Sequence, residues 1–244
     1  MGRTIATIEA RMTSSRLPGK VLAEADGAPM LELMVERLRF VPRLDEIVIA
    51  TTVKSSDDTV EALAKRIGAG VWRGSEEDVL SRVLGAAKAY DAETIVELTG
   101  DCPLIDPKIV SRVISQYRDR GVDYASNVLE RSYPIGMDTQ VFSTKVLDDV
   151  ARRTADPSDR EHVSLYIYRH PEIYSLCNVP APPAETRPAL RLTLDTPEDL
   201  TVIRAVFAAL RPTKKDFSLA DIIGFIDEHP EIAAVNASIR HRYA

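Results

Sequence analysis

Cysteine is scarce in this chain: Cys102 and Cys177 are the only two in 244 residues. Two distant thiols build no disulfide framework, and no Cys/His cluster has zinc-ligand spacing. No run of 18 or more apolar residues exists, so nothing is expected to span a membrane. The opening "MGRTIATIEARM" meets charge after only a few apolar residues, unlike a secretory leader, and a cytoplasmic location is the expectation. Basic residues are outnumbered, 31 Lys+Arg against 37 Asp+Glu for a net charge of −6. That balance argues against a nucleic-acid backbone as main partner, so any anion site must be set locally by loops. Both common nucleotide fingerprints are missing as well. No G-x-G-x-x-G follows a strand, and at Gly19-Lys20 the P-loop pattern fails because Val21 stands where Ser or Thr belongs.

What is present is an alternation of short β-branched runs and helical patterns. "TIATIEA" (4–10), "EIVIATT" (46–52), "TIVELT" (94–99) and "LRLTLD" (190–195) read as strands. Residues 29–41, 57–69, 75–90 and 106–120 carry apolar side chains at helical spacing, several opening on Ser or Asp with early acids. Such alternation predicts an α/β fold with a largely parallel sheet covered on both faces, and in such sheets ligands sit at the carboxyl ends of strands. From residue 121 the rhythm loosens. Short strands are expected in "GVDYASN", "DTQVF" and "EIYSLCNV", with a helical stretch over 143–170. A four-proline segment, 180–188, reads as an extended arm, and 217–236 closes with one more amphipathic helix. The whole, 1–244, is expected to be a single domain, with 121–190 as a subregion.

Four places could carry chemistry. In "EARMTSSRLPGKV" (9–21) the chain leaves a strand and spreads Arg11, Arg16 and Lys20 among Thr13, Ser14 and Ser15. Backbone N–H groups in such a loop can form an anion nest, to which the cations add charge-assisted hydrogen bonds; an ordinary basic surface loop carries the same residue types. In "LTGDCPLID" (98–106), Asp101 follows a strand and Gly100, while Asp106 looks like a helix cap, leaving Asp101 free for a metal. In "LTLDTPEDL" (192–200), Asp195 ends a strand and is either an N-cap or the partner of Asp101 on a hard divalent ion such as Mg²⁺. In "WRGSEEDVLSR" (72–82), Arg73, Gly74 and Ser75 precede a donor-rich helix start.

Together with "EIVIATT", "YPIGMDTQVF" and "DPSDREHVSLYIY", these segments resemble the spore-coat-polysaccharide branch of the cytidylyltransferases. That branch is related to the synthetases of CMP-sialic acid and CMP-3-deoxy-manno-octulosonate. The match runs in order from residue 3 to about 236. The resemblance implies a three-layer α/β/α Rossmann-like nucleotidyltransferase fold, usually a homodimer, with 121–190 forming an acceptor-side and dimerisation subregion. It implies that Arg11, Ser15, Arg16 and Lys20 hold the CTP triphosphate. Thr52, Arg73, Gly74, Ser75 and Asp78 would lie along the cytidine pocket, and Asp101 and Asp195 would bind Mg²⁺. Asp138, Arg160 and His162 would face the acceptor. Many family members have Arg after "YP"; this chain has Ile135, one cation fewer in that loop. The implied reaction is transfer of CMP from CTP to an acidic sugar or a phosphorylated small molecule with release of pyrophosphate, in surface polysaccharide or activated-sugar biosynthesis. A polyol phosphate, a phosphonate or a sugar 1-phosphate with another base stays open as the alternative. A glycosyltransferase is disfavoured because no D-x-D stands at a strand end, and intact Arg16, Lys20, Asp101 and Asp195 argue against a non-catalytic nucleotide-binding protein.

Overall fold

The structure, a computed structural model, describes residues 2–240; Met1 and 241–244, the ends of the expected domain, lie outside the described residues. In chain order the strands are β1 (Arg3–Glu9), β2 (Glu24–Ala25), β3 (Ala28–Pro29), β4 (Glu46–Thr52), β5 (Gly70–Gly74), β6 (Ala92–Thr99), β7 (Tyr124–Ser126), β8 (Gln140–Ser143) and β9 (Leu176–Asn178). The helices are α1 (Met30–Leu38), α2 (Asp58–Arg66), α3 (Val79–Ala89), α4 (Pro107–Arg120), α5 (Thr144–Arg153), α6 (Pro157–Glu161), α7 (Leu165–Arg169), α8 (Pro197–Leu210), α9 (Leu219–Glu228) and α10 (Pro230–Ala234).

Seven strands form one sheet in the order β5-β4-β1-β6-β8-β7-β9, and β2 and β3 make a separate hairpin. β5, β4, β1 and β6 are mutually parallel; β8 runs antiparallel to both β6 and β7, and β7 pairs parallel with β9. The sheet is thus mostly parallel where the sequence alternates strand and helix, and mixed beyond residue 121, where that alternation fades.

Period-two alternation sends the strand residues to two faces. Ala6, Ile8, Ile49, Val96 and Leu98 pack with α1, α2 and α4 through Leu31, Met34, Val60 and Val110. Ile5, Val48, Ile95, Tyr124 and Phe142 pack with α3, α5 and α7 through Leu80, Val83, Leu147 and Ile167. Helices on both faces of one sheet make the three-layer α/β/α arrangement. A third cluster joins α8 and α9 to the β2–β3 hairpin and to Leu192, Leu194, Phe207 and Phe217.

Several local expectations need correction. Residues 190–195 are extended but belong to no sheet. Their one ladder-type contact is Ile135 with Arg191. Leu192 N–H donates to the Ile135 carbonyl and Leu194 N–H to that of Asp101, both at 2.7 Å, so loops rather than strands satisfy this backbone. Strand β5 went unforeseen, since its Gly70 and Gly74 mask a strand pattern. Helix α3 starts at Val79 rather than Ser75, because the Asp78 carboxylate caps it by accepting from the Ser81 N–H at 2.9 Å. The helical stretch over 143–170 divides into α5, α6 and α7, and the tail helix stops at His229 before Pro230 opens α10.

Candidate active site

The carboxyl ends of β1, β4 and β6 lie side by side, and the loops leaving them frame the site. After β1, residues 10–19 double back: the Gly19 N–H donates to the Met12 carbonyl at 2.9 Å, closing a loop with Thr13, Ser14, Ser15 and Arg16 at its crest. Gly19 sits at φ 71°, in the left-handed region that disfavours any Cβ, and starts the short turn that carries Lys20. After β4, Asp57 accepts from the Met12 N–H at 2.7 Å and ties down the start of the loop. After β6, the Gly100 N–H donates to the Glu9 carbonyl at 2.9 Å; a Cβ at Gly100 would lie only 2.9 Å from that oxygen, which is why glycine stands there.

These loops, together with the segment 190–195, bring four of the expected charges to one point. Lys20 Nζ lies 2.9 Å from Asp101 Oδ2 and 2.9 Å from Asp195 Oδ1. Arg16 Nη2 meets Asp195 Oδ2 at 3.0 Å. Burial alone would push the Lys20 ammonium down, but Asp101 and Asp195 outweigh it and hold it above its ordinary range. Burial likewise pushes Asp101 up, and Lys20, with the hydroxyl of Thr99 at 2.6 Å, outweighs it, so its carboxyl lies below the usual range.

Neither acid is occupied as a helix cap. Asp106 caps α4, accepting from the Lys108 N–H at 2.7 Å. Thr196 caps α8, and Asp199 closes its capping box. Asp195 is instead braced by Arg191, whose Nη2 lies 2.9 Å from Asp195 Oδ2 while its Nε meets Asp199 Oδ1 at 2.8 Å. Arg191, concealed within the strand-like run 190–195, and Asp199, in the first turn of α8, are buried structural partners.

Two cavities flank this point. The larger, about 910 Å³, is lined by the 10–21 loop with Arg11, Ser15, Arg16 and Lys20, and also by Arg82, Asp101 and Asp195. The second, about 590 Å³, is lined by Glu97, Arg131, Ile135, Asp138, Gln140 and Ser164 among others. They share Glu9, Thr99, Asp101, Glu161 and His162. His162 and Glu161 are turned onto this boundary by the end of α6, where the buried Val163 takes φ 38°, an unfavourable conformation for a β-branched residue. Asp138 is held by Arg131 in a two-pronged pair, both oxygens at 2.8 Å.

The expected cytidine contacts are spread more widely. Thr52 bonds Asp57, and Arg73 donates to the Thr52 and Lys54 carbonyls and pairs with Asp58 and Glu61 at 2.7 Å. Gly74 packs against Arg82, which a Cβ would approach to 3.0 Å. Ser75 and Asp78 line a separate small cleft together with Arg160, whose guanidinium pairs with Asp78 at 2.5 Å. The structure thus joins one residue expected at the nucleotide to one expected at the acceptor, and sets both apart from the two cavities. Ser56, Glu76 and Arg82 line the larger cavity without having been foreseen; Arg82 left a signal, being a charge inside the apolar face of α3. Glu9 and Glu97 were missed too, although each is an acid within or ending an apolar strand run.

A family description, Cytidylyltransferase, matches residues 5–221. The chain belongs to the cytidylyltransferase family. It is accordingly a CTP-dependent nucleotidyltransferase. This cytidylyltransferase is 36% identical over 240 residues to the spore coat polysaccharide biosynthesis protein SpsF of Bacillus subtilis, covering 96% of this chain and 98% of that one. It is 30% identical over 245 residues to the 3-deoxy-manno-octulosonate cytidylyltransferase of Solibacter usitatus, covering 85% and 95%. Among solved structures, a cytidylyltransferase from Leptospira borgpetersenii superposes with a TM-score of 0.90 at 32% identity, over 100% of both chains. Among the described residues no helix is long and apolar enough to cross a membrane.

Proposed function

We propose that this cytidylyltransferase moves CMP from CTP to an oxygen of an acidic sugar, releasing pyrophosphate, as a step of surface polysaccharide biosynthesis. The observation that carries this reading is the meeting of Arg16, Lys20, Asp101 and Asp195 in the larger cavity, with Asp101 on its boundary with the second, acid-bearing one. The named activities of the relatives, in spore coat polysaccharide and octulosonate chemistry, support the choice of acceptor.

In this reading the triphosphate occupies the larger cavity, against Arg11, Ser15, Arg16 and Lys20. Without a ligand these cations rest on Asp101, Asp195 and Glu76; phosphate oxygens offer Arg16 and Lys20 better partners and release the two aspartates. Two carboxylates already converging on one cationic point fit a hard divalent ion. Among the described residues no group of three or more His, Cys, Asp or Glu adds to them, so phosphate oxygens and water complete such a shell. Asp101 and Asp195 would hold Mg²⁺, which when bound neutralises phosphate charge. The acceptor oxygen attacks the α-phosphorus in line, the bond to the bridging oxygen of the leaving pyrophosphate breaks, and the acceptor's proton is lost. Such transfers depend on positioning and charge neutralisation more than on a strong base. Arg11, Arg16 and Lys20 stabilise the charge that develops on pyrophosphate, and one such donor is worth about 3–4 kcal/mol of transition-state stabilisation. Asp138 and His162 face the acceptor. Thr52, Arg73, Gly74, Ser75 and Asp78, none of which lines the larger cavity, would border a cytidine that extends beyond it, and Arg160 fixes Asp78.

We further read the chain as one cytoplasmic domain acting as a homodimer, with 121–190 supplying the acceptor side and the dimer surface, and with neither nucleic acid nor membrane as partner. The test is pyrophosphate release with Mg²⁺, each of the four nucleoside triphosphates, and a panel of acidic sugars and phosphorylated small molecules. CTP with an acidic sugar should give turnover. Turnover with another base, or with phosphorylated acceptors alone, would displace the reading.

A further inference from the structure

Helix α8 opens on more charge than its cap requires. Thr196 accepts from the Asp199 N–H and Asp199 from the Thr196 N–H, which completes the capping box. The Asp199 carboxylate nevertheless takes further hydrogen bonds. Arg191 Nε meets its Oδ1 at 2.8 Å and Arg191 Nη2 its Oδ2 at 2.9 Å. The Asn236 amide donates to Oδ1 and the Asp195 N–H to Oδ2, both at 2.9 Å. Asn236 lies beyond α10 and also donates to the Arg191 carbonyl at 3.1 Å. Arg191, Asp199 and Asn236 are each at most 3% exposed. Apolar side chains of like volume fill such a space at least as well as a buried ion pair, so the use of this group lies in direction rather than in stability.

That direction is toward Asp195. Arg191 Nη2 also reaches Asp195 Oδ2 at 2.9 Å. The other oxygen, Oδ1, faces Lys20 Nζ, which lies equally 2.9 Å from Asp101 Oδ2. The backbone adds a second tie between the two acids: the Leu194 N–H and the Thr193 hydroxyl both donate to the Asp101 carbonyl, at 2.7 and 3.1 Å. Arg16 and Lys20 hold Asp195 as well, but both sit on the loop given to the triphosphate, and phosphate oxygens draw them away. Arg191 does not line the larger cavity, so a ligand there leaves it in place. One guanidinium serves two carboxylates here. Asp199 therefore takes up part of its charge, and Asp195, the member of the pair that lines the cavity, keeps negative charge for a cation.

We infer that Arg191 is a positioning residue for the divalent ion: backed by Asp199 and Asn236, it holds Asp195 by one oxygen and turns the other toward Asp101. The inference rests on the reading of Asp101 and Asp195 as metal ligands given above. Groups that orient a metal-binding side chain govern metal affinity about 10- to 100-fold without touching the ion. A lysine cannot do the same, because its ammonium lacks the planar fork that spans both carboxylates.

The test reads metal binding apart from turnover. CTP is titrated calorimetrically into the full chain with and without Mn²⁺, and the gain in affinity that Mn²⁺ gives is compared between the wild type and three variants. Arg191→Lys should reduce that gain about tenfold or more, with metal-free CTP affinity within about twofold of the wild type. In pyrophosphate release, the Mg²⁺ concentration for half-maximal rate should rise by the same factor, and excess Mg²⁺ should restore most of kcat. A merely weakened fold would lower the melting temperature and leave both metal readings where they were. Asn236→Ala removes only the amide behind the pair and should move the gain in the same direction, about threefold. An unchanged gain in a folded Arg191→Lys overturns the inference; if circular dichroism shows that variant unfolded, Asn236→Ala decides in its place by the same criterion. Asp195→Asn should abolish the gain, and that result beside an unchanged Arg191→Lys leaves the metal reading standing alone. If Asp195→Asn keeps the gain, or the wild type shows none, the metal reading falls and takes the inference with it.

Discussion

The two cavities share a wall and are built on opposite electrostatic plans. On one side the loop after β1 spends three cations on internal acids: Arg11 near Glu76 at 3.7 Å, Arg16 on Asp195 at 3.0 Å, and Lys20 on Asp101 and Asp195. Every charge there has a partner that a polyanion can replace. On the other side Glu97 is buried and Glu9 half-buried, each with one shielded oxygen unpartnered among the described residues, and Arg131 is already paired. The difference teaches that a site can be made ready for a ligand in two ways. Exchangeable ion pairs satisfy the charges of the cationic side, whereas on the acidic side burial favours the neutral forms of Glu9 and Glu97.

The sharpest blow to the comparison falls where the plans meet. Asp101→Asn should keep the fold, since Asp101 caps no helix, and lower metal-dependent kcat by about 100- to 1000-fold. Pyrophosphate release beside an unchanged circular dichroism spectrum measures this, and near-normal turnover would remove Asp101 from the mechanism. Lys20→Ala comes next. It should weaken CTP binding about tenfold or more while changing CMP binding far less, because the ammonium serves the outer phosphates. Calorimetry with both nucleotides decides, and equal losses would end the assignment of this loop to the triphosphate.

A pH series then probes the acidic side. Glu9 releases its proton near 8 in the folded chain, against 4.5 ordinarily. Between those values the folded state holds a proton that the unfolded chain has lost, so this group's contribution to stability falls as pH rises. Glu9→Gln removes that slope, and the melting temperature of the variant minus that of the wild type should climb from pH 5 to pH 8. A flat or falling difference would show that Glu9 is ionised in the folded protein. The smallest effect is expected at Arg160→Ala. Its partly exposed pair with Asp78 is worth about 1 kcal/mol or less, and Arg160 lines neither main cavity. Acceptor KM should stay within about twofold, and a large rise would return Arg160 to the acceptor.

Legibility in the sequence followed the range of the interactions concerned. β4 is found where it was read, at Glu46–Thr52, and α4 within a residue, because β-branched runs and an Asp-Pro cap are local signals. The run 190–195 misled because alternation of Leu with polar residues is as compatible with an extended segment wedged between loops as with a strand. Here Arg191, Thr193 and Asp195 are buried as thoroughly as Leu192 and Leu194, which no two-sided strand pattern anticipates. In the site, the cations of 11–20 and the acids 101 and 195 stood out by type and by position at strand ends. The pairing of Asp78 with Arg160, 82 residues apart, left no trace in either segment.

Composition and local pattern settled the class of the molecule: a mostly parallel α/β sheet with ligand-bearing loops at its carboxyl ends, and a cationic loop suited to phosphate. They could do so because helix and strand periods, caps and glycine turns are written over a few consecutive residues. Which charges actually meet was left to the tertiary structure. Sheet register alone sets Glu97 on the face of Glu9, and loop closure alone brings Lys20 between two aspartates 94 residues apart, a difference read from positions 101 and 195. Electrostatic energy depends on distance and burial, and neither is defined until the chain has folded.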